Sequence, residues 1–218
     1  IKGTTKIADL KDVDLVIEAI VEDRAAKREL WTEVGKVVRK DALLATNTSS
    51  IPLSSVAPAT GNPTRFLGLH FMNPVPVMKL VELVKGIQTS DEAFAEGKSF
   101  IESLGKTTIT AKDTPAFVIN ALLVPFIIEA VRLVEAGVAT PEDIDKGMKL
   151  GCNMPMGPIE LLDFVGLDTT LSISEVLFSE FRDSRYAAPP LLRRMVESGW
   201  MGKKSGRGFY DYSKKDKK

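Results

Sequence analysis

Apolar positions follow two rhythms along this chain, and the change between them marks a boundary. Residues 14–21 (DLVIEAIV) form an apolar run broken by one Glu, the pattern of a strand buried on both faces of a parallel sheet. Residues 23–40 then place Leu30, Val34, Val37 and Val38 at helical spacing, with charges on the other face. Strands are predicted at 42–48 (ALLATNT), 65–72 (RFLGLHFM) and 79–85 (KLVELVK), the last two joined by the proline-punctuated NPVPV. Ser90 and Gly105 bracket a helix as N-cap and C-cap, and 106–112 (KTTITAK) is the last strand before Pro115. Strands alternating with helices at this spacing mean an α/β domain with a largely parallel sheet.

Beyond Pro115 the period becomes helical throughout. Residues 116–137 read as one long helix, apolar on nearly every side and ended by Gly137. Thr140, Pro141, Glu142 and Asp143 make a strong helix start, and further helices are predicted near 157–164, 167–182 and 189–198. GFYDY closes the patterned sequence, and SKKDKK reads as a solvated, frayed end. Residues 1–112 are thus an α/β domain and 113–218 a helical one.

The α/β part has a gap. A doubly wound dinucleotide domain opens with strand, Gly-rich turn and helix, and no G-x-G-x-x-G occurs in the 218 residues. GKKSGRGFY has the wrong spacing and no strand before it. The expected architecture is the second half of a Rossmann-like sheet, with the first βαβ unit missing upstream of Ile1, followed by the helical domain. That gap leaves targeting unread.

Composition narrows the classes. Lys and Arg total 29 and Asp and Glu 29, so the chain lacks the basic surplus that a general nucleic-acid or anionic-membrane binder needs. No apolar run is long enough to cross a bilayer. The single cysteine, Cys152, excludes an internal disulfide framework and fits a reducing, cytoplasmic setting. One histidine and one cysteine also exclude a metal site of the usual His/Cys type.

That histidine, His70, lies on an apolar strand, where a lone His is ordinarily a core residue. Two neighbours favour chemistry. Glu82 is a second polar intruder in an apolar strand, and a chain reversal about Pro76 sets it opposite His70. A carboxylate on one imidazole nitrogen fixes the tautomer and leaves the other as a general base. Asn47, Thr48, Ser49 and Ser50 follow the 42–48 strand, at the end where a parallel sheet holds ligands. They fit a helix cap or a substrate oxygen equally well. Asn120 is an amide inside a greasy helix and needs a partner, for which a ligand at the domain boundary would serve.

TNTSSIPLSSVA, GLHFMNPVPVMKLVELV, KDTPAFVINALLVPF, MKLGCNMPMGPIELLDFVGLD and GKKSGRGFYDY together resemble the 3-hydroxyacyl-CoA dehydrogenase family, over essentially the whole chain. The C-terminal stretch is similar to its bacterial 3-hydroxybutyryl-CoA members. The resemblance implies a catalytic His70–Glu82 dyad, with Ser49 and Asn120 holding the substrate oxygen. It implies cofactor contacts at Ala19, Glu22, Lys27, Ser49, Asn73 and Lys204, and NAD as cofactor, with NADP left open. Two positions depart from the family pattern: Ala116 stands where Gly is usual after D-T-P, and Ala121 where a larger residue usually follows the motif Asn.

The implied reaction is NAD-dependent oxidation of a (3S)-hydroxyacyl-CoA, expected to be short-chain such as 3-hydroxybutyryl-CoA, in fatty acid or butanoate metabolism, or the reverse. The long apolar helix implies a homodimer through the helical domain. Two other readings remain. One is a non-catalytic, dimerising fragment of such an enzyme. The other is a hydrolase using Ser49, His70 and Glu82, although TNTSS is not a G-x-S-x-G elbow.

Overall fold

The computed structural model describes residues 1–213, so the expected lysine-rich tail lies, from 214 on, outside the described residues. The chain divides into two compact units, Ile1–Val118 and a second beginning at Ile119.

In the first unit, β1 (Leu15–Glu18), β2 (Leu43–Thr46), β3 (Phe66–Phe71), β4 (Leu80–Lys85) and β5 (Thr107–Lys112) form one sheet in chain order. β1–β2, β2–β3 and β4–β5 pair in parallel. β3 and β4 are antiparallel, in the register that puts His70 opposite Glu82. Helices α1 (Arg24–Gly35) and α2 (Asp91–Ser103) cover the two faces. Leu44, Phe66 and Val84 meet Trp31 and Val34 of α1, while Leu43, Leu67, Leu69 and Leu83 meet Ala93 and Ile101 of α2. Adjacent strand residues point to opposite faces and both faces are covered, which is why these strands read as continuous apolar runs.

The caps explain the helix limits. Asp23 and Ser90 accept the Ala26 and Ala93 amides at the starts of α1 and α2. The long helix predicted from residue 116 begins later. Ala116 and Phe117 take left-handed φ values of 61° and 52°, which no α-helix accommodates. The segment before it belongs to the first unit: Asp113 accepts the Leu53 and Ser54 amides at 2.6 and 2.8 Å, and Phe117 packs into the core under α1. The units therefore part after Val118 rather than at 112.

The second unit holds α3 (Ile119–Glu135), α4 (Pro141–Gly151), α5 (Pro158–Val165), α6 (Leu167–Phe181) and α7 (Pro190–Glu197). Ile127, Val131, Ile159, Leu162, Leu167 and Leu192 form its core. Two buried carboxylates stitch it together. Asp145 of α4 accepts the Ile159 and Glu160 amides, both at 2.8 Å, and the Tyr210 hydroxyl at 2.7 Å. It thereby caps the open N-terminus of α5, whose own N-cap is Gly157 and has no side chain to offer. Asp163 of α5 accepts the Phe209 and Tyr210 amides at 3.0 and 2.9 Å, holding the GFYDY segment. A Cβ on Gly208 would stand 2.1 Å from the Asp163 carboxylate, so only glycine permits this approach. Burial holds the Asp163 carboxyl above its ordinary range, against the lowering pull of the Tyr210 and Phe209 amides and the Tyr212 hydroxyl.

Candidate active site

The C-terminal ends of β1, β2 and β3 lie side by side, the edge at which open α/β sheets bind ligands. β2 runs into Asn47–Ser50. Asn47 continues the sheet through its backbone, donating to the Glu18 carbonyl, and its side chain accepts the Phe71 amide at 2.9 Å. Glu22 gathers the next three residues. Its Oε1 accepts the Thr48 hydroxyl at 2.6 Å, the Ser49 and Ser50 amides at 2.8 and 2.9 Å, and the Ser50 hydroxyl at 3.1 Å.

Held in this way, Ser49 Oγ lies 3.1 Å from His70 Nε2. His70 Nδ1 lies 2.6 Å from Glu82 Oε2. His70 is 5% exposed and Glu82 is fully buried. Glu82 Oε1 accepts the Val118 amide at 3.0 Å, so both carboxylate oxygens are engaged. With the carboxylate on Nδ1, that nitrogen carries the proton and Nε2 presents its lone pair to Ser49 and to the open end of the sheet. The Phe117 ring, 5.6 Å from the imidazole centre, walls one side.

A second buried cluster stands behind Glu22. Glu18, 3% exposed at the end of β1, accepts from Lys27 Nζ at 2.6 Å, the Ile20 amide at 2.8 Å and the Thr46 hydroxyl at 2.6 Å. Lys27, also buried, reaches Glu22 Oε2 at 3.4 Å and the Ile20 carbonyl at 3.5 Å. For Glu22, burial pushes the carboxyl up. The Thr48 hydroxyl, the Lys27 charge and the Ser49 and Ser50 amides outweigh it and leave the group below its ordinary value.

The structure thus joins Ser49, His70 and Glu82 in one line of hydrogen bonds, with Glu22 and Lys27 behind Ser49. Ala19 is exposed beside them at the end of β1, and Asn73 is exposed just past β3. Asn120 and Lys204 belong to the second unit. Asn120 sits half-buried in the first turn of α3, and Lys204 ion-pairs with Asp168 at 2.6 Å. Glu18 was missed as a site residue, although its signal matched that of Glu82: one acid alone in an apolar strand.

Two family descriptions cover the chain: 3-hydroxyacyl-CoA dehydrogenase, NAD binding domain, over residues 1–114, and 3-hydroxyacyl-CoA dehydrogenase, C-terminal domain, over residues 117–212. The chain belongs to the 3-hydroxyacyl-CoA dehydrogenase family. The 3-hydroxybutyryl-CoA dehydrogenase of Mycobacterium tuberculosis is 54% identical over 211 residues, which is 96% of this chain and 74% of the relative. Human mitochondrial hydroxyacyl-coenzyme A dehydrogenase is 48% identical over 96% of this chain and 67% of its own. The crystal structure of (S)-3-hydroxybutyryl-CoA dehydrogenase from Ralstonia eutropha matches with a TM-score of 0.93 at 48% identity, covering 98% of this chain and 75% of that one.

NAD is the cofactor of the matched domain. The residues present fit its nicotinamide end: an exposed small residue, Ala19, at the end of β1, beside the ordered Ser49 loop. The Gly-rich turn that cradles a pyrophosphate is not among these 218 residues. Among the described side chains at this sheet edge, the imidazole Nε2 is placed to accept a proton, whereas the carboxylates of Glu18, Glu22 and Glu82 are each committed to several donors.

Proposed function

We propose that the site oxidises the 3-hydroxyl of a short-chain (3S)-hydroxyacyl-CoA, with 3-hydroxybutyryl-CoA as the representative substrate, and catalyses the reverse reduction. Bound NAD supplies the hydride acceptor. His70 Nε2 takes the hydroxyl proton as C3–H leaves as hydride and the C3–O bond becomes a carbonyl. Glu82 keeps the proton on Nδ1 and balances the imidazolium that forms. Ser49 holds the reacting oxygen beside Nε2, and Asn120 is assigned the second hydrogen bond to it. The line Ser49–His70–Glu82 at the ligand-binding edge of an NAD-binding sheet carries this reading.

The same line has the connectivity of a hydrolytic triad, so a hydrolase deserves a physical answer. The amides that would form an oxyanion hole next to Ser49 are those of Ser49 and Ser50. Both already donate to the Glu22 carboxylate, so a developing oxyanion there would face a negative charge instead of free donors.

A homodimer through the helical unit is part of the proposal. Leu122 is 72% exposed on α3, Val138 is 66% exposed just beyond its end, and Leu133 is also exposed, an apolar surface that a second copy would cover. A cytoplasmic location is also inferred, from the single free cysteine. The test is NADH production from (S)-3-hydroxybutyryl-CoA by the purified chain, alongside NADH calorimetry and sedimentation. Substrate-dependent NADH formation that His70→Gln abolishes is the expected result. An intact dimer with neither turnover nor NADH binding would overturn it in favour of a dimerising module. Ester or thioester hydrolysis without NADH would restore the triad.

A further inference from the structure

Asp113 lies just past β5 and takes no part in the relay, yet its contacts lead to both ends of it. One carboxylate oxygen accepts the Leu53 amide at 2.6 Å and the other the Ser54 amide at 2.8 Å. Those amides open a short 3₁₀ turn, Leu53–Ser55, beyond Ser49 on the same loop; the residue before it is Pro52, which has no side-chain acceptor to cap it. Asp113 thus ties the loop that carries Ser49 to the segment that ends the first unit.

That segment reaches the other end of the relay. The Phe117 amide donates to the Thr114 carbonyl at 3.0 Å, and Ala116 and Phe117 turn the chain through left-handed φ values. Two non-glycine residues in that region persist only where their surroundings hold them. The holds here are Asp113 on one side and the buried Phe117 ring on the other. The turn lays that ring 5.6 Å from the imidazole centre, tilted by 57°, and delivers the Val118 amide to Glu82 Oε1 at 3.0 Å. The last side-chain torsion of a glutamate is broad, so its oxygens are aimed only when one of them is tied. With Oε1 on the Val118 amide, Oε2 points at His70 Nδ1, 2.6 Å away.

We propose that Asp113 is a positioning residue of the His70–Glu82 dyad, the anchor of a brace over residues 113–118 that aims the Glu82 carboxylate and walls the imidazole. The proposal rests on the dehydrogenase reading for its kinetic consequence but not for its geometry. An error of about 1 Å in the placement of a catalytic group costs on the order of 10²-fold in rate. Asp113 is only half-buried, so water can reach the amides that its removal frees.

The experiment compares Asp113→Ala and Asp113→Asn with Ser90→Ala, which removes the cap of α2 in the same unit. Four quantities are read in the full chain: kcat and KM for (S)-3-hydroxybutyryl-CoA, the Kd for NADH, imidazole ¹⁵N NMR, and hydrogen exchange of the Val118 amide. His70 is the only histidine in the chain, so its nitrogen resonances are unambiguous. Asp113→Ala should lower kcat by about 10–100-fold and leave KM and the NADH Kd within about twofold. Its Nδ1 resonance should move toward that of Glu82→Gln, and Val118 should exchange about tenfold faster. Asp113→Asn keeps one acceptor and should fall between Asp113→Ala and the unmodified chain. Ser90→Ala should lower Tm and leave kcat and the Nδ1 resonance in place.

An Nδ1 resonance and a Val118 exchange rate unmoved in Asp113→Ala would overturn the proposal whatever the kinetics and reduce Asp113 to a loop cap. An unchanged kcat beside a displaced resonance would overturn it too, as would the same displacement in Ser90→Ala, which would trace it to lost stability. If Asp113→Ala does not fold, Asp113→Asn is judged by the same signals. If the unmodified chain shows no dehydrogenase turnover, the functional reading fails, and the resonance and the exchange rate still decide the brace.

Discussion

Both units bury carboxylates, and the partners of those carboxylates separate framework from chemistry. In the helical unit, the donors to Asp145 and Asp163 among the described residues are backbone amides and tyrosine hydroxyls. None of those donors gives up its proton near neutral pH, and the two aspartates act as stitches between α4, α5 and GFYDY. In the α/β unit, Glu82 accepts from an imidazole, whose protonation changes during the proposed reaction, and Glu22 accepts from the loop that carries a serine to the same imidazole. Burial alone does not mark a functional acid. A buried acid becomes a candidate when one of its partners can titrate and a free lone pair remains beyond that partner.

The largest effect expected from breaking this distinction is at His70. His70→Gln should lower kcat by roughly 10²–10⁴-fold with little change in KM, the usual worth of a general base. Glu82→Gln keeps an acceptor for the ring but removes the counter-charge that balances the imidazolium, so kcat should fall while KM stays close to unmodified. A double variant scarcely slower than His70→Gln shows the pair acting as one unit; fully multiplicative losses would return His70 to the core. On the framework side, Asp145→Ala strands two amides and a phenol, and about 3 kcal/mol of stability should go with them. In a chain of this size that is a fall in Tm of about 6–12 °C, with the kcat of the folded protein close to unmodified. A large kcat loss at unchanged Tm would erase the contrast.

Acid titration sharpens the comparison further, because the two kinds of acid have opposite signs. Glu22 lies below its ordinary 4.5, so its contribution to stability is complete above pH 4.5 and is lost as pH falls through the folded value. Asp163 lies above its ordinary 3.8, so its ionised form is a liability that is relieved as pH falls toward 3.8. Plots of Tm against pH for Glu22→Gln and Asp163→Asn, each subtracted from the unmodified protein, should slope in opposite directions. Parallel slopes would contradict the assigned environments. The smallest effect belongs to Ala116, which is buried with φ at 61°. Glycine there relieves about 1 kcal/mol of left-handed strain and forfeits about 0.8 kcal/mol of methyl burial, so the melting temperature should barely move.

Much of this was legible in the linear sequence because local rules decided it. Continuous apolar runs marked strands covered on both faces, Ser90 and Thr140 marked helix starts that the structure caps with those side chains, and two polar intruders equidistant from Pro76 came to face each other across β3 and β4. The helix start at 116 was misread because apolar periodicity carries no information about the sign of φ, and Ala116 and Phe117 turn the chain before α3 can begin. The buried cluster of Glu18, Lys27 and Glu22 was hidden for a different reason. Glu18, Lys27 and Thr46 come together only when β1 pairs with β2, and Glu22 reaches Thr48 only across the loops that follow them. No spacing within a helix or strand announces contacts of that kind. Asp145 and Asp163 escaped notice because surface aspartates on amphipathic helices look the same in sequence.

The β3–β4 hairpin has a consequence for the order in which the site assembles. His70 and Glu82 are 12 residues apart, whereas Ser49 is 21 residues from His70 and Thr46 is 28 from Glu18. Closing the hairpin fixes a short loop, while the parallel pairings must first confine a longer crossover. The histidine and its acid should therefore meet early in folding, and the serine should join once β1 and β2 have docked. In rate measurements, substitutions along β3 and β4 should chiefly slow folding, and those in the β1–β2 pairing should chiefly speed unfolding.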